Sequence, residues 1–297
     1  MTSRWTIGQL LAWATAVLEE HAVPSPRWDA EVLLASVVGR QPLMLPLFAD
    51  EAVPAAAAGR YQAMVGRRAA REPLQYILGE QEFMGLRFAV DQRVLVPRPE
   101  TEHLVEAAIT HLDALDRDPA ARGLSAAPLA ADIGTGSGAI AVSLATRIAH
   151  LHVFAIDISL DAIAVASENA QRQGVTDRIT FLQGDLFAPL PPDLHGQLAL
   201  VASNPPYIAS GELPQLQAEV RREPRLALDG GYDGLDLYRR IIAEALHWLR
   251  AGGLLALEIG DRQGKAVAKL VADAGAYSEC TTLTDYAGHD RVVLAKR

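Results

Sequence analysis

The chain of 297 residues is short of several things, and each shortage excludes a class of protein. It has a single cysteine, Cys280. One thiol closes no intramolecular disulfide, which excludes the disulfide-stapled secreted scaffolds and fits a reducing compartment, so a cytoplasmic location is expected. No apolar run reaches the roughly 18 to 20 residues that span a bilayer, and no membrane segment is expected. Trp5 to Leu18 is apolar enough to imitate a signal-peptide core. Its pattern differs: Ile7, Leu10, Leu11, Ala14, Val17 and Leu18 recur at helical spacing, and Thr6 with Gln9 has the form of a capping box, so an amphipathic helix of the mature protein is expected. The 8 histidines show no ligand spacing with carboxylates or the cysteine, so no metal is expected. Cations are scarce as well. Lys+Arg 27 against Asp+Glu 36 leaves a net charge of −9, and no lysine precedes Lys265. That balance is ill suited to gripping phosphates, so direct nucleic-acid binding is not expected, and only a local arginine patch would serve it.

What the chain does have is apolar material, 50% of its residues. At roughly 150 residues per domain its length suggests about two domains, large enough to bury a core without staples. Residues 1–80 read as helical, with breaks at Pro24 to Pro26, Gly39 to Pro46 and Val53–Pro54, leaving room for four or five short helices. Arg60, Arg67, Arg68 and Arg71 lie in the last long one. A solvated helix face explains them, with a partner-docking patch as the alternative. Residues 81–97 alternate (Phe83, Leu86, Phe88, Val90, then Val94 and Val96) around an expected turn at Asp91–Gln92, which reads as a hairpin connector. Pro97 to Glu102 then opens a helix with Leu104, Val105, Ala108 and Ile109 on its apolar face, and Asp113 to Pro128 reads as a polar linker. Beyond it, short apolar strands begin near Leu129, His152, Ile179, Leu198 and Leu254 and alternate with helices, the pattern of a parallel sheet covered on both faces. Glu279 to Thr284 and Arg291 to Ala295 read as an antiparallel pair at its edge.

Two motifs carry chemistry. The first, Gly134-Thr135-Gly136-Ser137-Gly138, lies where the first strand of the sheet turns into its first helix, at the edge where open α/β sheets bind ligands. Asp157 ends the next strand, placed to accept hydrogen bonds from both ribose hydroxyls of an adenosine group. The spacing is G-x-G-x-G, not the G-x-G-x-x-G of dinucleotide sites, and Asp132 just before it repels phosphate but suits an ammonium. Together these point to S-adenosylmethionine (SAM) over a nicotinamide dinucleotide; the competing reading is a tight turn without a ligand. Leu186, in Asp185-Leu186-Phe187 after the third strand, is a candidate adenine contact, and a plain solvated turn explains that segment nearly as well. No P-loop and no nucleophile elbow is present.

The second motif is Asn204-Pro205-Pro206-Tyr207, after the fourth strand and therefore at the same edge. A planar amide or aromatic NH2 is a poor nucleophile with two donors to satisfy. The Asn204 side-chain oxygen and the Pro205 carbonyl can accept one N–H each, the prolines stiffen the clamp, and Tyr207 offers a flat face to the substrate's planar group. Otherwise the pair of prolines merely terminates a strand.

With these motifs in hand, the sequence resembles the protein-(glutamine-N5) methyltransferases of peptide-chain release factors, the PrmC/HemK family. Besides the two motifs, the similar segments are Pro73 to Gly79, Phe83 to Leu86, Val94 to Glu102 and Glu223-Pro224 through Gly234-Leu235-Asp236. The resemblance implies a seven-stranded, Rossmann-like SAM-dependent methyltransferase sheet over residues 98–297, preceded by a helical domain, residues 1–80, that recognises the release factor. It implies methylation of the glutamine side-chain amide in the Gly-Gly-Gln motif of class I release factors, with Gly134 to Gly138, Asp157, Leu186 and Asn204 at the cofactor and Asn204 to Tyr207 at the glutamine. Pro99 to Thr101 are expected to wall the site. The rival readings are a glutamine methyltransferase of a ribosomal protein, an adenine or guanine amino-group methyltransferase, and a non-catalytic SAM-binding adaptor.

Overall fold

Thr6 accepts from the Gln9 amide at 3.3 Å while the Gln9 side chain accepts from the Thr6 N–H at 3.0 Å, so the first helix begins at its capping box. The computed structural model describes residues 5–117 and 127–297. They fall into two units.

The first unit takes in the residues up to Glu80 together with Gln217–Arg222. It contains α1 (Ile7–Glu20), α2 (Pro26–Val38), a 3-10 helix (Pro42–Phe48), α3 (Ala55–Ala69) and the short α4 (Leu74–Leu78). Leu10, Leu18, Leu33, Leu34, Leu45 and Tyr61 are fully buried at its centre, and the Tyr61 hydroxyl donates to the Ala30 carbonyl at 3.0 Å. The break expected from Gly39 to Pro46 is partly helical, because Pro42 suits a first turn and Leu45 anchors the 3-10 segment in the core.

The arginine face is corrected in the same unit. Arg60 and Arg67 are exposed, but Arg68 is buried and bonds Asp29 at 2.7 Å, Glu219 at 2.8 Å and the Glu72 carbonyl at 3.1 Å. Arg71 grips both Glu219 oxygens at 2.7 Å. The counter-charge comes from a residue 151 positions away, which helical periodicity cannot reveal. Burial lifts the Glu219 carboxyl, yet the bonds from Arg71 and Arg68 outweigh it and bring the group to about 2. Asp29 has a single guanidinium partner, so burial wins there and its pKa is raised.

The second unit comprises Gln81–Leu216 and Glu223–Arg297. The hairpin strands are β1 (Glu80–Phe83) and β2 (Leu86–Ala89), joined at Met84–Gly85; the turn expected at Asp91–Gln92 is present, with Val94 donating to the Asp91 carbonyl at 3.1 Å, but it follows the hairpin instead of closing it. Met84 (φ 52°) and Gly85 (φ 73°) are both left-handed, as a two-residue turn matched to strand twist requires. Val94 and Val96 are buried outside any strand. Helix α5 (Thr101–Arg117) runs into the expected linker, of which residues 118–126 lie outside the described residues.

The sheet contains β3 (Leu129–Ile133), β4 (His152–Asp157), β5 (Ile179–Gln183), β6 (Leu198–Ser203), β7 (Leu249–Glu258), β8 (Glu279–Thr284) and β9 (Asp290–Lys296). Its order is β5-β4-β3-β6-β7-β9-β8, with β9 antiparallel to both neighbours as expected. Successive strand residues alternate between two cores. Ala130, Val153, Leu200 and Leu254 face α5, α6 (Ala139–Arg147) and α7 (Leu160–Gln173). Ala131, Phe154, Val201 and Leu255 face α8 (Asp236–Trp248) and α9 (Gly264–Asp273). This is the doubly covered sheet that the apolar runs predict, with the seven strands that the family resemblance implies.

Replacing Arg68 with Ala strands Asp29, whose side chain is 7% exposed, and leaves Glu219, 13% exposed, with Arg71 as its one remaining guanidinium partner. Loss of a buried partner of this kind costs about 3 kcal/mol; urea denaturation is expected to show a destabilisation of that order, and an unchanged midpoint would contradict it.

Candidate functional site

Parallel pairing aligns three strand ends. Ile133 of β3 pairs with Ile156 of β4 and with Ser203 of β6, so Gly134, Asp157 and Asn204 emerge side by side at the carboxyl edge. They border a cavity of about 340 Å³, whose wall includes Gly134, Thr135, Gly136, Ser137, Asp157, Leu186, Asn204 and Pro206. Gly138, Pro205 and Tyr207 adjoin these residues in the two motifs and are not part of the wall itself.

The glycine loop is tied down from below. Gly134 and Thr135 donate to the Ile156 carbonyl at 2.9 Å, Gly136 donates to Asp157 Oδ2 at 2.9 Å, and Asp157 Oδ1 accepts from Ser159 N at 2.9 Å. Burial raises the Asp157 pKa against these bonds. Asp132 lies under the loop and outside the cavity wall: it is fully buried, its Oδ2 accepts from the Thr135 hydroxyl at 2.6 Å and the Ala141 N–H at 3.1 Å, and its Oδ1 has no partner. Burial pushes its pKa up to about 7. Gly138 serves packing. Its φ is 80°, and a Cβ there would meet Ala166 Cβ at 3.0 Å, so only glycine lets α6 approach α7 so closely.

Leu186 contributes an apolar wall from a left-handed backbone (φ 49°), while Asp185 beside it pairs with Arg240 at 2.8 Å.

In the second motif, the Asn204 amide nitrogen donates to Thr101 Oγ1 at 3.2 Å, and Thr101 Oγ1 donates to Glu258 Oε2 at 2.5 Å. Burial lifts the Glu258 carboxyl to about 7, opposed by the Thr101 bond and by Arg291. Tyr207 packs against the α8/α9 core, its carbonyl accepts from Gln263 Nε2 at 3.0 Å, and burial pushes its phenol up to about 12. A Cβ on Gly234 would lie 2.3 Å from the Tyr207 carbonyl oxygen, and one on Gly230 would lie 2.7 Å from that of Pro206. The second glycine cluster therefore presses directly on the clamp's backbone.

Of Pro99 to Thr101, expected to wall the site, Thr101 lines the cavity and Pro99 and Glu100 do not; sequence reasoning gave Thr101 no individual chemistry and left Glu258 and Glu223 without roles. Glu223 is buried, accepts from Val96 N at 3.0 Å and pairs with Arg98, holding together two stretches that wall the cavity. A signal for Glu258 existed: it is a carboxylate in the otherwise apolar run Leu254 to Ile259.

A family model described as the PrmC N-terminal domain matches residues 9–79, and one described as a methyltransferase domain matches residues 130–223. The chain is 48% identical to a release factor glutamine methyltransferase of Moorella thermoacetica, over 98% of this chain and 99% of that one. With the protein of the same name from Geobacter sulfurreducens the identity is 43%, over 97% and 96%. Two solved structures share its fold. A methyltransferase from Pyrococcus furiosus superposes with a TM-score of 0.50 at 16% identity, covering 79% of this chain and 96% of that one. The N-terminal domain of human METTL16 in complex with SAH gives 0.53 at 18%, covering 76% and 81%.

Substituting Gly234 by Ala adds a methyl 2.3 Å from a backbone oxygen at a φ of 73°. The variant is expected to lose about 2 kcal/mol or more of stability, a strained-backbone effect combined with overpacking. A wild-type denaturation curve for it would contradict the tight approach.

Proposed function

The chain belongs to the release factor glutamine methyltransferase family, and we propose that it N5-methylates the glutamine of the Gly-Gly-Gln motif in class I peptide-chain release factors, with SAM as methyl donor. The observation that carries this reading is Asn204 on the wall of the cavity that Gly134 to Ser137 and Asp157 also border.

The residues fit SAM. Each Asp157 oxygen accepts one N–H within the loop and retains a lone pair for a ribose hydroxyl. Nothing lies within 4 Å of where a Cβ would stand on Gly134 or Gly136, so the loop backbone is open to the methionine part, and Leu186 offers the apolar contact for adenine. When bound, SAM supplies an electrophilic methyl group. The chain's task is to present an amide nitrogen in line with it. Asn204 Oδ1 and the Pro205 carbonyl accept the two N–H groups, Pro206 walls the substrate, and Tyr207 braces the turn through its carbonyl and its partly buried ring. The proton acidified by methylation leaves to water, so catalysis rests on positioning and on electrostatic support of the developing charge.

We assign release-factor recognition to residues 1–80, methyl transfer to residues 98–297, and the connection to residues 81–97. Supporting the first assignment, Leu43, Met44 and Leu47 of the 3-10 helix are 80%, 43% and 73% exposed while Leu45 between them is buried. The net charge of −9 favours a protein amide over a nucleic-acid base, and a cytoplasmic location follows from that substrate. Among the described residues no single helix is long and apolar enough to cross a membrane.

The deciding experiment incubates the protein with labelled SAM, release factors and ribosomal proteins, and maps the modified residue. Label on the release-factor glutamine is expected; label confined to a ribosomal protein, or none, overturns the reading. Asn204→Ala is expected to lower kcat about a hundredfold while SAM still binds, and Asp157→Ala to weaken SAM binding about tenfold by calorimetry. The reverse pattern would exchange their roles. Replacing Leu43 and Leu47 together by Ser should raise KM for the release factor about tenfold and leave SAM affinity unchanged. Equal KM values would remove that helix from the recognition surface.

A further inference from the structure

The proposed transfer needs the Asn204 side chain in one of two orientations. Its ends are nearly equal in shape and opposite in role, since the oxygen accepts and the nitrogen donates. Their assignment follows from two neighbours. The Asn204 nitrogen lies 3.2 Å from Thr101 Oγ1, which lies 2.5 Å from Glu258 Oε2. Thr101 is 4% and Glu258 1% exposed, so water does not compete for either link.

A carboxylate can only accept. The single hydroxyl hydrogen of Thr101 is therefore committed to Glu258, and the Thr101 oxygen has only lone pairs to offer Asn204. The donor end of the amide must face it, which turns Oδ1 away from Thr101. A protonated Glu258 undoes this order: the acid donates to Thr101, and the freed hydroxyl hydrogen meets the amide oxygen as readily as the lone pair meets the amide nitrogen.

We propose that Glu258, acting through Thr101, sets the polarity of the Asn204 amide and so holds the clamp in its accepting form. This rests on the glutamine-methylation reading. Both are positioning residues, acting through Asn204.

The surroundings of Glu258 make the relay sensitive near neutrality. Burial raises its carboxyl to about 7; Arg291 on β9 and Arg98 before α5 favour the charged form, and Glu100 opposes it. The phenols of Tyr207 and Tyr238 also face it, and Tyr238 donates to the Glu258 backbone carbonyl at 2.7 Å. As pH falls through about 7, Glu258 takes up its proton and the polarity is lost, so kcat should fall on the acid side. Asp132 is also pushed up to about 7, but it supports the glycine loop, and saturation with SAM separates its effect from that of Glu258.

The test is kcat against pH at saturating SAM and release factor, with SAM affinity measured by calorimetry. In the wild type an acid limb with a midpoint near 7 is expected. Thr101→Val keeps the shape and removes the hydroxyl; it should lower kcat at least about tenfold, abolish the limb and leave SAM affinity intact. Thr101→Ser should restore most of the rate and the limb. A Val variant with wild-type kcat, a Ser variant as slow as Val, or a limb that persists in Val overturns the relay. Should Thr101→Val fail to fold, Glu258→Gln, neutral and equal in size, reads the same device: a reduced kcat without an acid limb supports it, and a persisting limb overturns it. Absence of transfer by the wild-type chain to any release factor overturns the glutamine reading itself, whereas transfer that these variants leave unaltered overturns the relay alone.

Discussion

The register of β4, β3 and β6 is the constraint on which the site depends. Parallel strands rise about 3.3 Å per residue, and a one-residue slip carries each side chain to the opposite face. Gly134, Asp157 and Asn204 meet only because Ile133 pairs with both Ile156 and Ser203. The second pairing is set by an irregularity: Leu129 pairs with Leu198, but Ala130 pairs with Leu200, so the ladder skips Ala199. Without that skip, the residue emerging opposite the glycine loop would be Ser203. A bulge at the start of β6 thus decides which side chain reaches the cavity at its end.

Three buried carboxylates then convert loops into walls. Asp132, under the end of β3, holds Thr135 and the start of α6; Glu223 holds Val96 and Arg98; Glu258, at the end of β7, holds Thr101 at the start of α5. Burying a carboxylate costs several kcal/mol unless its bonds compensate, and such groups concentrate where geometry has to be rigid. In Asp132 and Glu258 the compensation is incomplete, since both are lifted to about 7.

Much of this was legible in the residues, for identifiable reasons. Buried parallel strands are short apolar runs between helices, and the glycine loop and Asn204 lie at strand ends, so topology alone brings them to one edge. Local backbone chemistry was harder. The alternation from Phe83 to Val96 is real as burial, yet Met84 accepts a left-handed φ of 52° that its residue type disfavours, so the turn falls where no glycine–asparagine signal announces it. Pairings distant in sequence were invisible. Of the partners of Arg68 one is 151 residues away, and the carboxylate partner of Thr101 is 157 away, and neither spacing leaves a periodic trace. Tyr207 shows a packing role that the motif does not announce. A flat ring after two prolines suggests a substrate contact, but Gly234 brings backbone against its carbonyl, Gly230 against that of Pro206, and the ring, partly buried, packs against the core.

The catalytic edge does not by itself choose between an amide and an exocyclic base nitrogen, since both are planar NH2 groups needing two acceptors. Charge around the cavity separates them. A nucleic-acid substrate brings phosphates, whose grip needs uncommitted cations. The arginines on this cavity wall are Arg93, Arg98 and Arg240. Arg93 is held by Asp91 at 2.6 Å, Arg98 by the buried Glu223, and Arg240 by Asp185 at 2.8 Å. Each guanidinium thus enters the site as part of a neutral pair, and a phosphate would have to displace a carboxylate already in place. On this wall, then, the arginines are present in residue count but already paired. A peptide tip of two glycines and a glutamine carries no side-chain charge, so it asks nothing of those arginines and leaves the pairs intact.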